Sequence, residues 1–286
     1  MLVAAVCLVV PASASAITYT TGRLTYVLKN ADVPASTQAS RSVRCPSGTE
    51  VTGGGAYTSG STVDDEVATS APLDAGDRDR IPDDGWQAEL NTGAALAHIV
   101  TAYAICAPFS HLSYVRESTP VGPNGSKTVH AACPQGTEPI GGGARTTSSS
   151  TAVALRQTFP WNRPGSDISW DGWQGTANNL TGSAKKVTAI AICKHVTAAN
   201  YGVSGSFSGT TGLLQTADQT LACNGSFHVS GGGSFISAGT QGEVASTLPW
   251  DGNDFDDAPD DVWKTYFNNE TGTTQVAHGT EAFCVK

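Results

Sequence analysis

The sequence predicts an all-β protein built from three tandem antiparallel β modules, each stapled by a disulfide. Three observations carry that expectation. One block of residues recurs along the 286-residue chain with a period of about 88 residues. Each copy brings two cysteines. Short alternating apolar runs, bounded by Gly, Pro and Asn, recur throughout, and helical periodicity is missing almost everywhere.

The block is easy to follow. Cys45-Pro46-Ser47-Gly48-Thr49-Glu50 returns as Cys133-Pro134-Gln135-Gly136-Thr137-Glu138 and, eroded, as Cys223-Asn224-Gly225. Eight residues after each cysteine stands a glycine triplet: Gly53-Gly54-Gly55, Gly141-Gly142-Gly143 and Gly231-Gly232-Gly233. A proline follows (Pro72, Pro160, Pro249), then a tryptophan (Trp86, Trp173, Trp263), an asparagine (Asn91, Asn178, Asn268) and a closing cysteine (Cys106, Cys193, Cys284). The chain divides accordingly into a leader, residues 1–16, and three units, 17–110, 111–197 and 198–286.

In the leader, the apolar run Leu2 to Val10, then Pro11 and the small residues Ala12 to Ala16, read as a secretory signal cleaved after Ala16. The run is too short to span a bilayer, and no second long apolar stretch exists, so no membrane span is expected. Each unit then opens on a strand at Leu24-Thr25-Tyr26-Val27, matched by Leu112 to Val115 and, loosely, by Tyr201-Gly202-Val203. Ser42 to Cys45 is a second strand, left through a Cys-Pro-x-Gly turn. Val51 to Tyr57 is a third and carries the glycines. Glycines within a strand mark a bulge or a close approach of backbone. A phosphate cradle would need a following helix, which is missing.

Glu66 to Thr69, matched by Glu243 to Ser246, gives a fourth strand that ends at the proline. The fifth begins at the tryptophan. Trp86, Ala88 and Leu90 share one face and Gln87 and Glu89 the other, and Trp263, Thr265 and Phe267 repeat the pattern. A glycine-containing turn (Asn91-Thr92-Gly93) leads to the last strand, Ile99 to Cys106 or Val187 to Cys193, as a predicted β-hairpin. That last strand is apolar on both faces in the first two units and should be central.

Cys7 lies in the leader and leaves six cysteines, separated within the units by 61, 60 and 61 residues. Two pairings respect the repeat. One joins Cys45–Cys106, Cys133–Cys193 and Cys223–Cys284. The other joins Cys106–Cys133 and Cys193–Cys223 and closes the ring with Cys45–Cys284. The first is favoured because it staples each unit locally. Either implies an oxidising, extracellular compartment. The net charge of −9 and pI near 5.0 exclude the electrostatic footing that nucleic-acid binding needs.

The repeat also sorts the candidate sites. Trp86, Trp173 and Trp263 sit on the apolar side of their strands and read as core rather than as sugar platforms. Trp161 and Trp250 follow the proline in a loop, beside Asn162 and Asp251, and Trp170 lies in the same loop of the second unit. A loop tryptophan beside fixed acceptors suits a sugar face and its hydroxyls; the alternative is a ring folded back over its own core. In the first and third units this loop is acidic in matching register. Asp74, Asp77, Asp79, Asp83 and Asp84 align with Asp251, Asp254, Asp256, Asp260 and Asp261. Such carboxylates usually stay solvated, which is the favoured reading; the alternative is that they hold Ca²⁺, and no cofactor is otherwise expected. The second unit keeps only Asn162, Asp167 and Asp171. Catalytic signatures such as His-Glu-x-x-His or Gly-x-Ser-x-Gly are missing. His278 and Glu281 replace apolar residues of the other two units, which suggests a more exposed last strand at the C-terminus.

Taken together, Cys-Pro-x-Gly, the glycine triplet, Gly-Trp, Asn and Ala-Ile-Cys resemble a repeat of uncharacterised secreted proteins of actinomycetes, across nearly all the chain. The pattern is also similar to vitelline-membrane outer-layer proteins, which place Cys-Pro-x-Gly and a later cysteine three times round a β-prism. Their repeats are shorter and lack the Gly-Trp element, so the resemblance implies only pseudo-threefold, β-prism-like packing. The expected function is that of a secreted, non-enzymatic binding or surface protein whose Pro-to-Trp loops meet a glycan or cell-wall polysaccharide. The alternatives are a structural or protein-interaction role in an extracellular assembly, and a hydrolase using an acidic-loop pair.

Overall fold

The structure, a computed structural model, describes residues 16–60, 63–75, 79–93, 97–164, 170–197, 200–237, 241–252, 256–272 and 276–286, with backbone only for 204–208. Residues 1–15 of the expected leader lie outside the described residues. The first unit forms β1 (Ile17–Thr21), β2 (Leu24–Val33), β3 (Thr37–Arg44), β4 (Glu50–Thr58), β5 (Asp65–Leu73), β6 (Gly85–Thr92) and β7 (His98–Ala107). The second forms β8 (Ser113–Val121), β9 (Gly125–Ala132), β10 (Glu138–Thr146), β11 (Val153–Trp161), β12 (Gly172–Asn179) and β13 (Lys185–Lys194). The third forms β14 (Tyr201–Thr211), β15 (Gln215–Ala222), β16 (His228–Ile236), β17 (Gly242–Trp250), β18 (Val262–Asn269) and β19 (Val276–Val285). The described residues contain strands and no helix, as expected.

The strands assemble into three antiparallel sheets, ordered β1-β2-β7-β4-β17-β18-β15, β3-β6-β5-β10-β13-β8 and β14-β19-β16-β11-β12-β9. Every sheet takes a trio of strands from one unit and a trio from another, and the first sheet adds β1 at its edge. The joint is always the same: the third strand of one unit meets the fourth of its neighbour, at Ala56–Thr247, Ala144–Ser70 and Thr158–Ser234. Within a unit, the two trios stack as layers. The units therefore complete one another's sheets.

One local expectation fails. The fifth and sixth strands do not form a hairpin, because β6 lies between β3 and β5 while β7 lies between β2 and β4. Neither has a free edge to offer the other, and Asn91 and Thr92, expected in the turn, are the last paired residues of β6. The last strands β7 and β13 are central, as their apolar faces predict, and β19, expected to be more exposed, is central as well. The disulfides Cys45–Cys106, Cys133–Cys193 and Cys223–Cys284 tie the two layers of each unit, which settles the choice between the two pairings for the local one.

The glycine triplet has a separate task for each member. A Cβ on the middle glycine would lie 2.4 Å from the Trp86 ring at Gly54, 2.4 Å from Trp173 at Gly142 and 2.2 Å from Trp263 at Gly232. Those rings are buried, and each indole nitrogen donates to a hydroxyl of the fourth strand, Ser70, Thr158 or Thr247, at 3.0–3.1 Å. The first glycines, Gly53, Gly141 and Gly231, press on backbone of a neighbouring unit at the pseudo-threefold axis, and the third glycines pack against the neighbour's fourth strand. Two rings of hydrogen bonds close the axis. Tyr26, Tyr114 and Tyr201 donate to the carbonyls of Val229, Val51 and Pro139 in neighbouring units at 2.7–2.8 Å. Asn91, Asn178 and Asn268 donate to those of Val153, Gly242 and Asp65 at 3.0, 3.3 and 2.6 Å. The repeated asparagine is thus a fastener between units.

Candidate functional site

Strand alternation sends Trp263 and Thr265 of β18 inward and Lys264 and Tyr266 to the opposite face. Tyr57 at the end of β4 and Tyr103 in β7 flank Gly55 on the corresponding face of the first unit, and the shared sheet brings both sets together. The Tyr57 and Tyr266 rings lie 6.2 Å apart across the joint. Lys264 Nζ stands 4.9 Å from the Tyr266 ring and 5.1 Å from that of Trp250. It also pairs with the Asp218 carboxylate of β15 at 3.3 Å. Trp250 ends β17 with 39 % of its surface exposed, while Tyr57, Tyr103, Lys264 and Tyr266 are half-buried. Burial, then the neighbouring tyrosines, raise the Tyr57 and Tyr103 hydroxyls above their ordinary range, so both stay protonated donors. A cavity of about 230 Å³ opens beside the row, lined by Tyr57, Thr58, Thr216, Asp218 and Tyr266.

The other two sheets carry different groups at these positions. In the second, Glu89 and Arg145 stand where Tyr266 and Tyr57 do, and Glu89 accepts from Thr69 and Gln87 at 2.8 Å. In the third, Trp170 covers the face. Its ring meets Phe159 edge-on at 5.9 Å, Phe159 meets Phe235 at 4.9 Å, and Trp170 hydrogen-bonds Glu281. His278 and Glu281 are 3 % and 2 % exposed, so the expected exposed last strand is corrected. His278 stacks on Phe267 at 4.5 Å with Thr211 on its Nδ1, and Glu281 is roofed by the loop. Burial pushes the Glu281 carboxyl from 4.5 up to about 8, against the Trp170 hydrogen bond. A carboxyl raised on folding stabilises below its unfolded value and loses that contribution as pH rises through the folded one. Thermal stability is therefore expected to fall between pH 4.5 and about 8. The decline should flatten in Glu281→Gln, and an equal slope in both proteins would count against this assignment.

The remaining sequence candidates scatter. Trp161 stacks on His130 at 4.7 Å with the Arg163 guanidinium 5.8 Å from its ring, and Asn162 is exposed. Trp161 belongs to the third sheet and Trp250 to the first, so they do not share a site. The acidic loops are held by their own carboxylates: Asp84 accepts from Ala75 N at 2.6 Å, Asp261 from Gly252 N at 3.1 Å, Asp79 from Ile81 N at 2.7 Å and Asp256 from Ala258 N at 2.8 Å. Asp74 is exposed, Asp251 is half-buried, and Asp77, Asp167 and Asp254 lie outside the described residues. Asp260 pairs with His228 at 2.7 Å.

Among the described residues, one group of carboxylates does converge, and it is not in these loops. Glu66, Glu243 and Glu270 each place an oxygen within 4.8 Å of the others. Burial and neighbouring carboxylates raise all three above the ordinary carboxylate range.

The tyrosine row was missed in the sequence, although a signal for it exists. Tyr57, Tyr103 and Tyr266 are positions where the three copies disagree (Arg145 and Phe235; Ile190 and Glu281; Glu89 and Thr176), as His278 and Glu281 of the last strand also do. No helix of the described residues is long and apolar enough to cross a membrane. The chain matches no protein-family model and no curated protein.

Proposed function

We propose that the protein is a secreted, non-enzymatic binding protein that holds a glycan, of the cell-wall polysaccharide class, along the aromatic row of its first sheet. The observation that carries this reading is the line of rings from Trp250 through Tyr266 to Tyr57, exposed at Trp250, half-buried at the tyrosines and interrupted by the Lys264–Asp218 pair. Flat rings on a rigid sheet suit the apolar faces of successive sugars, and a fixed carboxylate, ammonium and phenols suit their hydroxyls. The three disulfides are compatible with export.

Retention on insoluble polysaccharides, followed by affinity electrophoresis, tests the proposal. Trp250→Ala and Tyr266→Ala are expected to weaken retention at least about tenfold, the scale of losing an aromatic anchor. Because Trp250 is 39 % exposed, its removal should hardly move the melting temperature. Retention unchanged in both variants would move binding off this sheet, and no retention on any polysaccharide would end the glycan reading.

A further inference from the structure

The axis of the fold carries a second feature, independent of the aromatic row. Glu66 and Glu243 occupy the same position at the start of β5 and β17, with Ala154 in the second unit, and Glu270 follows β18. The cluster is therefore assembled from the first and third units, and Asn178 of the second reaches into it. Asn178 Nδ2 donates to Glu243 Oε1 at 2.7 Å, and Asn91 Nδ2 to Glu66 Oε2 at 3.2 Å. Glu243 is 2 % exposed, yet its Oε2 has no hydrogen-bond partner. Asn178 is 1 % exposed, and its Oδ1 has none either. A buried acceptor without a donor keeps its full desolvation cost, which is larger when the group is charged. The cationic side chain acting on Glu243 is Arg156, one charge against three carboxylates.

We infer that Glu66, Glu243 and Glu270, with the Asn178 amide oxygen, form a site for a hard divalent cation, Ca²⁺ above all, on the pseudo-threefold axis. All the donors are oxygen, which excludes a soft-metal preference. Calcium sits about 2.4 Å from its oxygens, so two ligands of one ion are separated by at most about 4.8 Å, a limit these carboxylate oxygens do not exceed. It tolerates irregular geometry and fills its shell with water, which the half-buried Glu270 side can admit. A proton shared between Glu66 and Glu270 would serve those two but leave Glu243 Oε2 and Asn178 Oδ1 as they are. An ion there would join groups from all three units.

The test uses the full chain, stripped with chelator and titrated with CaCl₂ at about pH 8. Calorimetry should give one ion per chain, and the melting temperature should rise by several degrees. Glu243→Gln keeps the oxygen that Asn178 needs and removes the charge; it should abolish both effects, as should Glu270→Gln. If Glu243→Gln fails to fold, the half-buried Glu270 position decides. Asp256→Asn, in the acidic loop, should bind as the parent does. The inference is overturned if the parent takes up no ion at millimolar Ca²⁺. It is also overturned if Glu270→Gln binds as tightly as the parent, or if binding is lost in Asp256→Asn and kept in Glu270→Gln.

Discussion

Gly141→Ala is expected to destabilise the whole chain by about 3 kcal/mol or more, the upper end of what overpacking costs. The added methyl would sit 2.1 Å from the Thr52 carbonyl oxygen of the first unit. Around the axis the same holds for Gly53, whose Cβ would lie 2.3 Å from the Ser230 oxygen, and for Gly231, 2.9 Å from the Gly141 Cα. These neighbours are backbone, so no rotamer change makes room. Relief requires moving one unit against another, and every sheet runs through two units. Urea unfolding followed by tryptophan fluorescence should therefore show one transition, shifted to lower denaturant. Gly182→Ala is the control: nothing lies within 4 Å of its Cβ, and it should leave the midpoint in place. A Gly141→Ala protein with the parent's midpoint would refute the packed axis. A curve that loses part of its amplitude in a separate early step would show units folding separately.

The same shared sheets explain what could and could not be read from the residues alone. Strand alternation marks Trp86, Ala88 and Leu90 as one face, and they are buried; the equal cysteine spacing favours local bridges, and they form. Both signals are short-range or internal to one repeat. The Asn91-Thr92-Gly93 turn looks like a hairpin turn because hairpins are the local solution, and only the partners already flanking β6 and β7 forbid it. The aromatic row lies beyond such reading for the same reason. Tyr57 and Tyr103 come from the first unit, and Tyr266, Lys264 and Trp250 from the third. No single repeat contains them, and their contact exists only because β4 pairs with β17. Glu66 and Glu243 follow suit: on one strand each is an ordinary polar position, and burial arises where the fourth strands of separate units meet. Trp170 and Trp250 show the converse. Both read as loop tryptophans, yet only Trp170 lies in a loop and Trp250 ends β17; whether a ring caps its own sheet or stays open depends on Phe159 and Glu281 lying underneath.

Removing the second bridge by Cys133→Ala with Cys193→Ala is expected to cost about 4 kcal/mol, from the entropy that a 60-residue loop restores to the unfolded chain. Alanine is the apt replacement because Cys193 is fully buried, where a serine hydroxyl would add its own desolvation cost. The three loops, 45–106, 133–193 and 223–284, do not overlap, so their constraints on the unfolded chain are independent and the losses should add. Reducing all three then removes about 12 kcal/mol, comparable to the roughly 5–15 kcal/mol that holds a typical domain folded. Full reduction should therefore leave the chain unfolded at physiological temperature, whereas a single missing bridge should leave a native, less stable protein. Thermal melts of the three double variants and of the reduced parent read this directly. Because the units share sheets, each variant should still melt in one step, and by a similar shift whichever bridge is absent. Unequal shifts would mean that one unit contributes more to the common core than its neighbours. A reduced parent that melts as the oxidised one does would mean that the axis of glycines, tyrosines and asparagines holds the fold without the bridges.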